Sequence, residues 1–291
     1  MAGLMPLCRL FLLCAALLAC QSVWALPLWE IEGTNNRIQL LGSIHFLRDK
    51  DYPLPRAMMD AYREADVIVM ELVVDRITPD DMQRVTRELA IDPRGKSLRD
   101  LVGAGTFREA LSLATAINID LNTMQPFEPW FAALQITQLR LLQMGFDGTK
   151  GIEATTARRA RADGKPIVGL ETLGEQLGTL DTLPATAQRQ FLIQTLEEAA
   201  SIGDDLEKIV SAWRTGDTDT LRTLLLEDLG KQPEIYQQVL VRRNRNWTKK
   251  IIDMTDDSQD YLIIVGAMHL IGEDSVQNML GEAGIRTRQI H

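Results

Sequence analysis

The chain has 291 residues, of which 31 are basic and 40 acidic, and its formal net charge is −9. A uniformly acidic protein is a poor candidate for binding nucleic acid or an anionic membrane surface. All three cysteines (Cys8, Cys14 and Cys20) lie before residue 26. A chain that begins at residue 26 therefore has no disulfide, no thiol nucleophile and no thiolate-bound zinc. Its length is enough to bury a full core without such crosslinks, so one large domain is expected.

Residues 1–25 are predicted to be a secretory signal peptide. Arg9 precedes an apolar stretch over residues 10–19, and Val23-Trp24-Ala25 is a small-x-small cleavage pattern. The apolar stretch is too short to span a membrane. An alternative interpretation takes Leu17-Leu18-Ala19-Cys20 as a lipoprotein signal, in which an acylated Cys20 anchors the protein to a membrane. We expect a periplasmic or secreted protein, or a membrane-anchored lipoprotein in the alternative case.

The first part of the mature chain is predicted to contain three strands and one helix. Residues 28–32 and 37–44 have the pattern of two strands joined by a turn. Apolar residues then recur at helical spacing over residues 57–65, and residues 67–70 form a continuous apolar strand. This strand–helix–strand order predicts a βαβ unit with parallel strands and a right-handed crossover.

The middle of the chain, residues 78–253, is predicted to be mostly helical. Pro79 at the start of this block is typical of the first turn of a helix, and one strand is expected within it at residues 165–170. The chain returns to a strand at residues 261–265, then a helix and a last strand at residues 286–290. These patterns predict one α/β domain over residues 26–291, with a largely parallel central sheet and an inserted helical block.

Two of the three histidines stand in the same local pattern. Gly42-Ser43-Ile44-His45 and Gly266-Ala267-Met268-His269 each follow an apolar strand-like run. The third histidine, His291, is the C-terminal residue and matches neither. Glycine three positions before each histidine permits a sharp exit from the strand or a close approach of the backbone to a ligand.

Four predicted strands end in a side chain that can bind a metal or transfer a proton: His45, Glu71, Glu171 and His269. Open parallel sheets bind ligands beyond the carboxyl ends of their strands. Two imidazoles and a carboxylate suit a divalent first-row metal with positions left open for water, and a second carboxylate can then act as the base. A carboxylate at the end of an apolar run is costly unless it has a partner, which favours a role for Glu71.

Simpler structural interpretations exist for these residues. A single Gly-x-x-His pattern has little specificity, and a buried histidine is commonly a hydrogen-bonded core residue. Glu153 and Glu171 could each cap or charge the N-terminus of a following helix. The run Arg242-Arg243-Asn244-Arg245 lies on a predicted helix, where it could be a solvated basic face. Alternatively, one of its arginines reaches the site and holds an anion or a carboxylate.

Together these motifs resemble the TraB/GumN family, whose relatives include the PrgY pheromone-shutdown proteins and the animal Tiki proteins. Their order and spacing agree over essentially the whole mature chain. The matching residues are Gly42-Ser43-Ile44-His45, Val69-Met70-Glu71-Leu72, Gly151-Ile152-Glu153, the segment from Gly164 to Thr172 with Glu171, then Gln176, Arg243-Asn244, Trp247 and Gly266-Ala267-Met268-His269.

The resemblance implies an α/β fold shared with erythromycin-esterase-like and ChaN-like proteins. Tiki relatives are regarded as divalent-metal-dependent proteases. Carried over, this implies that His45, Glu71 and His269 bind a divalent metal such as Mn, Co or Zn. It also implies catalytic roles for Glu71, Arg243 and Glu171. The position of Glu153 is often Asp in relatives, and its role stays open.

Two hypotheses of function follow. The first is a secreted metal-dependent hydrolase that acts on a peptide or a small molecule, and most directly on a peptide bond. In it Glu71 binds the metal or acts as base, and Arg243 holds the substrate or stabilises the oxyanion. The second is a non-catalytic periplasmic protein that uses the same pocket to bind a metal, a haem-like ligand or a peptide.

Overall fold

The computed structural model describes residues 26–290. The predicted signal peptide, including Cys20, and the terminal His291 lie outside these residues. The described chain is a mixed α/β fold built on one six-stranded sheet. Within residues 26–290, none of the helices combines the length and the apolar character that a membrane span requires.

The sheet is mostly parallel, as predicted. Its strands in chain order are β1 (Leu28–Ile31), β2 (Ile38–Ser43), β3 (Val67–Met70), β4 (Ile167–Gly169), β5 (Tyr261–Gly266) and β6 (Thr287–Gln289). In space they are ordered β4-β3-β5-β2-β1-β6. The four strands from β4 to β2 are mutually parallel, and β1 pairs antiparallel with both β2 and β6.

Strand β5 occupies the centre of the sheet. The predicted βαβ unit has parallel strands, but β2 and β3 are not neighbours, because β5 pairs with both of them. All six residues of β5 are buried. Leu262 and Ile264 face one apolar core, and Ile263 and Val265 face another. A strand that is apolar on both faces is stable only where both faces are covered, which is the central position.

The helices cover both faces of the sheet and form the inserted block. In chain order they are α1 (Arg56–Glu64), α2 (Pro79–Leu89), α3 (Leu98–Val102), α4 (Ala104–Ala116), α5 (Pro129–Gln143), α6 (Ile152–Asp163), α7 (Leu173–Asp181), α8 (Ala185–Ala199), α9 (Ile202–Thr215), α10 (Thr218–Gly230), α11 (Pro233–Ile235), α12 (Arg242–Met254) and α13 (Val276–Glu282). A π-helical segment, Tyr236–Val241, connects α11 to α12. The strand β4 interrupts the block, as the sequence predicts.

Helices α9 and α10 pack beside the carboxyl ends of the central strands. Trp213 of α9 is fully buried, and its Nε1 donates a hydrogen bond of 2.6 Å to the carbonyl oxygen of Gly42 in β2. Glu207 of α9 accepts hydrogen bonds from Arg48 and Lys50, which follow β2. These contacts hold α9 against the segment that carries His45.

Candidate active site

The carboxyl ends of the four parallel strands lie at one edge of the sheet. In the strand register, Ser43 is opposite Gly266, Met70 is opposite Ile264, and Gly169 is opposite Met70. The residues that follow these strands are therefore brought to the same edge. Across the sheet they come in the order Glu171, Glu71, His269 and His45.

Arg243 of α12 joins three of these four residues. Its Nη2 donates to Glu71 Oε2 at 2.5 Å and to Glu171 Oε1 at 2.7 Å, and its Nη1 donates to His269 Nε2 at 3.2 Å. The side chain is buried. Burial opposes the charge, but the two glutamates outweigh it and raise the pKa of Arg243. Arg243 is thus the inward-facing member of the basic run, and it is not part of a solvated face.

Both glutamates accept hydrogen bonds from further donors besides Arg243. Glu71 Oε1 accepts the backbone N–H of Gly266 at 2.7 Å. Gln176 Nε2 donates to Glu71 at 3.1 Å and to Glu171 at 3.0 Å, and Trp247 Nε1 donates to Glu171 at 3.2 Å. Burial by itself would raise the pKa of Glu71. The charge of Arg243, followed by the neighbouring imidazoles and the Gly266 N–H, outweighs burial and lowers this pKa to about 2.

His269 is buried and neutral. Asn244 Nδ2 donates to the carbonyl oxygen of Asp274 at 2.7 Å, which orients Asn244 Oδ1 towards His269 Nδ1 at 2.6 Å. The proton of the ring is therefore on Nδ1, and Nε2 accepts from Arg243. Burial, and then the charge of Arg243, lower the pKa of His269 to about 3. The indole of Trp247 covers the ring, with centroids 4.5 Å apart.

His45 is different, because 55% of its side chain is exposed. Its Nδ1 lies 2.9 Å from Oε1 of Glu153, a buried residue in the first turn of α6. Ser43 Oγ donates to the same carboxylate oxygen. The negative charge of Glu153 raises the pKa of His45 to about 9. Glu153 therefore places a negative charge in the first turn of α6, as one alternative from the sequence has it, and it also pairs with His45.

Gly151 permits this contact between α6 and the His45 segment. A Cβ atom at position 151 would lie 2.0 Å from the carbonyl oxygen of His45. The backbone N–H of the next residue, Ile152, donates to the carbonyl oxygen of Ile44 at 3.1 Å. The Gly-Ile-Glu motif therefore places a carboxylate against an imidazole by letting two backbones touch.

Gly266 forms the floor between the exposed histidine and the buried cluster. A Cβ atom at this position would lie 3.3 Å from His45 Nε2, 3.3 Å from Glu71 Oε1 and 3.6 Å from His269 Cδ2. The three predicted metal ligands thus surround one glycine. Any side chain at position 266 would press against them.

The predicted metal ligands do not fit a metal ion in this arrangement. Arg243 already binds Glu71 Oε2 and His269 Nε2, and Asn244 takes the other nitrogen of His269. A divalent ion on the same two atoms would face a guanidinium charge. Among residues 26–290, no group of three or more His, Cys, Asp or Glu side chains is arranged to hold a metal. A bound metal stays a prediction from the sequence.

Three residues of the family motifs have no role predicted from the sequence, and the structure shows what each of them contacts. Gln176 bridges the two glutamates, Asn244 sets the tautomer of His269, and Trp247 binds Glu171 and covers His269. The position of Asn244 next to Arg243 is a usable signal, because both residues lie on the buried face of α12 and reach the same edge of the sheet. The hydrogen bond of Ser43 has no signal in the sequence.

These features define an α/β protein with a buried arginine–carboxylate–histidine cluster. Beside the cluster, an exposed histidine is paired with a buried glutamate. The chain belongs to the TraB/PrgY/gumN family, whose family model matches residues 27–289. The family predicted from the motifs is confirmed.

The chain is also similar to individual proteins of three bacteria. It is 25% identical over 248 residues to YbaP of Escherichia coli (strain K12), which covers 84% of this chain and 88% of that protein. The same values hold for YbaP of Shigella flexneri. A protein of Treponema pallidum (strain Nichols) is 21% identical over 268 residues, which cover 87% of this chain and 79% of that protein. No solved structure matches the chain.

Proposed function

We propose that the chain is a hydrolase in which His45 transfers protons and Glu153 orients it. The observation that carries the proposal is the pair itself: an exposed imidazole whose Nδ1 lies 2.9 Å from a buried carboxylate. With the Nδ1 proton donated to Glu153, Nε2 is left to exchange a proton with a bound molecule. The carboxylate fixes the tautomer and stabilises the protonated ring, as in other histidine–carboxylate pairs.

The chemistry suited to this pair is hydrolysis of a peptide or an ester carbonyl. His45 Nε2 takes a proton from water while the water oxygen bonds to the carbonyl carbon. The same proton passes to the leaving amine or alcohol as its bond to the carbonyl carbon breaks. One water is consumed, and no oxidant or reductant is required. Ser43 is not assigned the nucleophile, because its hydroxyl donates to Glu153.

The buried cluster is assigned a positioning role. Nε and Nη2 of Arg243 donate to Glu171 and Glu71, and Nη1 donates to His269 and to the carbonyl oxygen of Val239. The N–H groups of Arg243 thus all have acceptors among the described residues. For this reason Arg243 is given a positioning role here and not the oxyanion-binding role predicted from the sequence. Glu71 accepts a hydrogen bond from the N–H of Gly266 and so fixes the position of Gly266, which lies next to His45 Nε2.

Two finer expectations belong to the same proposal. A fold kinship with erythromycin-esterase-like and ChaN-like proteins is supported by the parallel sheet whose first parallel strand, β2, leads into a histidine. Export to the periplasm or the medium is supported by the signal-peptide pattern of residues 1–25. Intact-mass measurement of the exported protein tests the second: a chain that begins at Leu26 supports it, and acylated Cys20 supports the lipoprotein alternative.

The test of the function is a hydrolysis assay of residues 26–291 with nitrophenyl esters and a peptide library. Above a pH of about 9, where the base form of His45 predominates in the wild type, we expect His45→Ala and Glu153→Gln each to lower kcat by about 100-fold or more. Glu282→Gln is the matched control, since Glu282 is exposed on α13. Activity that survives in His45→Ala would overturn the proposal. A folded wild type that cleaves nothing and yet binds peptides would favour the binding-protein hypothesis.

A further inference from the structure

We propose that an apolar cavity beside His45 binds one nonpolar side chain of the substrate, of the size of leucine or phenylalanine. This inference rests on the proposed hydrolase and names its substrate class. The cavity has a volume of about 180 Å³. It lies between the carboxyl ends of β2 and β5 and the helices α5, α9 and α10, from which Leu141, Val210 and Leu225 line it.

The lining favours an apolar occupant. Among the described residues that line the cavity, only Ser43 and His45 have a hydroxyl or an ionisable side chain, and the Ser43 hydroxyl is bound to Glu153. Phe46, Phe146 and Met268 complete a surface that offers a cationic or amide side chain few partners to replace its lost water. Burial of an apolar side chain here is favourable because it removes hydrocarbon from water.

The volume sets the size of the occupant. An apolar protein cavity of about 150 Å³ accommodates a benzene molecule. A cavity of about 180 Å³ therefore accepts a leucine or a phenylalanine side chain. It is too small for several side chains at once, so it binds the side chain of a single substrate residue. Glycine and alanine would leave the cavity largely empty.

The position of the cavity relates this side chain to the bond that is cut. Gly266, Ala267 and His45 belong to its wall, and Gly266 is also the floor beneath His45 Nε2. A substrate that places its side chain in the cavity brings its own backbone to the mouth, next to His45. The neighbouring carbonyl is then within reach of the imidazole. The cavity therefore selects the residue adjacent to the scissile bond.

A second cleft is larger but lies on the other side of the cluster. It has a volume of about 520 Å³ between α7 and α12 and is bordered by charged side chains that include Arg242, Lys249 and Glu175. It reaches Arg243 and Glu171, which are paired with each other, and His45 is not among its lining residues. The border of this cleft is polar and charged and lies away from the pair of His45 and Glu153, so the substrate side chain is assigned to the apolar cavity.

The first experiment compares 4-nitrophenyl esters of N-acetyl glycine, alanine, leucine, phenylalanine, tryptophan and aspartate with residues 26–291. We expect kcat/KM for leucine and phenylalanine to exceed that for glycine by about tenfold or more after correction for spontaneous hydrolysis. Val210→Phe fills the cavity and should remove this preference, so that the leucine and phenylalanine esters are cleaved no faster than the glycine ester. Leu139→Phe is the matched control, because Leu139 lies on α5 with its side chain exposed.

A second variant covers the case in which Val210→Phe does not fold. Leu225→Ala enlarges the cavity and should shift the preference towards tryptophan by about tenfold. An unchanged order of the six esters in a folded Leu225→Ala or Val210→Phe would overturn the inference.

Binding of toluene separates this inference from the hydrolase proposal, because it requires no turnover. We expect toluene to bind the wild type and Leu139→Phe, and to be excluded from Val210→Phe, as followed by methyl NMR shifts. Toluene binding without any hydrolysis would overturn the hydrolase and leave an apolar binding site. Hydrolysis without an apolar preference and without toluene binding would overturn the cavity assignment and leave the hydrolase. The absence of both hydrolysis and toluene binding would overturn both proposals.

Discussion

Arg243 Nη1 donates to His269 Nε2 across 3.2 Å, deep under the sheet edge. This hydrogen bond exists only while His269 is neutral, since a protonated imidazole has no acceptor and would repel the guanidinium. The pKa of His269, lowered to about 3, keeps the ring neutral throughout the physiological range. Arg243 therefore occupies the side of His269 on which a metal would have to bind.

The first prediction concerns metal content. We expect residues 26–291, purified without chelator, to carry well below one divalent ion per chain, because Arg243 and Asn244 occupy both nitrogens of His269. Plasma mass spectrometry measures the metal, and treatment with EDTA should leave the unfolding midpoint unchanged. Stoichiometric Mn, Co or Zn that is lost in both His45→Ala and His269→Ala would instead establish the metal centre predicted from the sequence.

The second prediction concerns the stability that Arg243 provides. Replacing it with methionine leaves Glu71 and Glu171 buried without their shared cation. We expect Arg243→Met to lower the free energy of unfolding by about 3–5 kcal/mol, the usual cost of removing one partner of a buried ion pair. Urea denaturation followed by circular dichroism measures it.

The adjacent Arg242 provides the control for this measurement. Its side chain is exposed on the same helix, so Arg242→Met should change the free energy of unfolding by about 0.5 kcal/mol or less. Equal stability of the two variants would show that Arg243 does not hold the carboxylates together.

The third prediction concerns the protonation of His45. Because Glu153 raises its pKa from 6.5 to about 9, the ring should titrate by NMR well above neutral pH in the wild type. In Glu153→Gln the pKa should return towards 6.5, and Glu282→Gln should leave it unchanged. A His45 resonance that titrates near 6.5 in the wild type would contradict the pairing.

The sign of the linked stability follows from the direction of this shift. A pKa that is higher in the folded than in the unfolded chain stabilises the fold fully below pH 6.5. This contribution is lost as the pH rises through about 9. The difference in stability between the wild type and Glu153→Gln should therefore shrink over that interval. On the proposed mechanism, wild-type hydrolysis should also accelerate over it, because the base form of His45 becomes more abundant.

The fourth prediction concerns Gly151. A methyl group there would lie 2.0 Å from the carbonyl oxygen of His45, so Gly151→Ala must push α6 and Glu153 away from His45. We expect a loss of about 1–3 kcal/mol in unfolding free energy and a pKa of His45 closer to 6.5. Gly178→Ala is the control: nothing lies within 4 Å of its Cβ position in α7, and alanine there should stabilise the helix by up to about 1 kcal/mol.

The sequence predicts the strands and the strand-end residues well, for a local reason. Apolar runs such as Val67–Met70 carry their own signal, and the observed strand has the predicted bounds. Once parallel strands are inferred, the rule that their carboxyl ends meet places Glu71 and His269 at one edge. The helix Ile152–Asp163 lies in the predicted helical block and ends at Gly164, a residue that adopts the left-handed conformation easily.

What the sequence does not predict are the contacts between distant elements. Glu71 and Arg243 are 172 positions apart, and nothing in either local sequence indicates that the guanidinium binds this carboxylate. The placement of β5 between β2 and β3 depends on which strands pair, and pairing has no local signature. For the same reason the partner of His45 turned out to be Glu153, from a helix whose approach depends on the absence of one methyl group.

The central position of β5 has a consequence for the order in which the protein assembles. Both β2 and β3 obtain their inner partner from a strand that begins at Tyr261, near the end of the chain. Until that strand is available, these two segments lack the neighbour that completes their backbone hydrogen bonds, and His45 lacks Gly266 as its floor. Such long-range pairing slows folding, because the chain loses the entropy of closing a long loop before the strand contacts stabilise it. A product truncated before Tyr261 lacks β5, Gly266 and His269, so we expect it to form neither the sheet nor the candidate site.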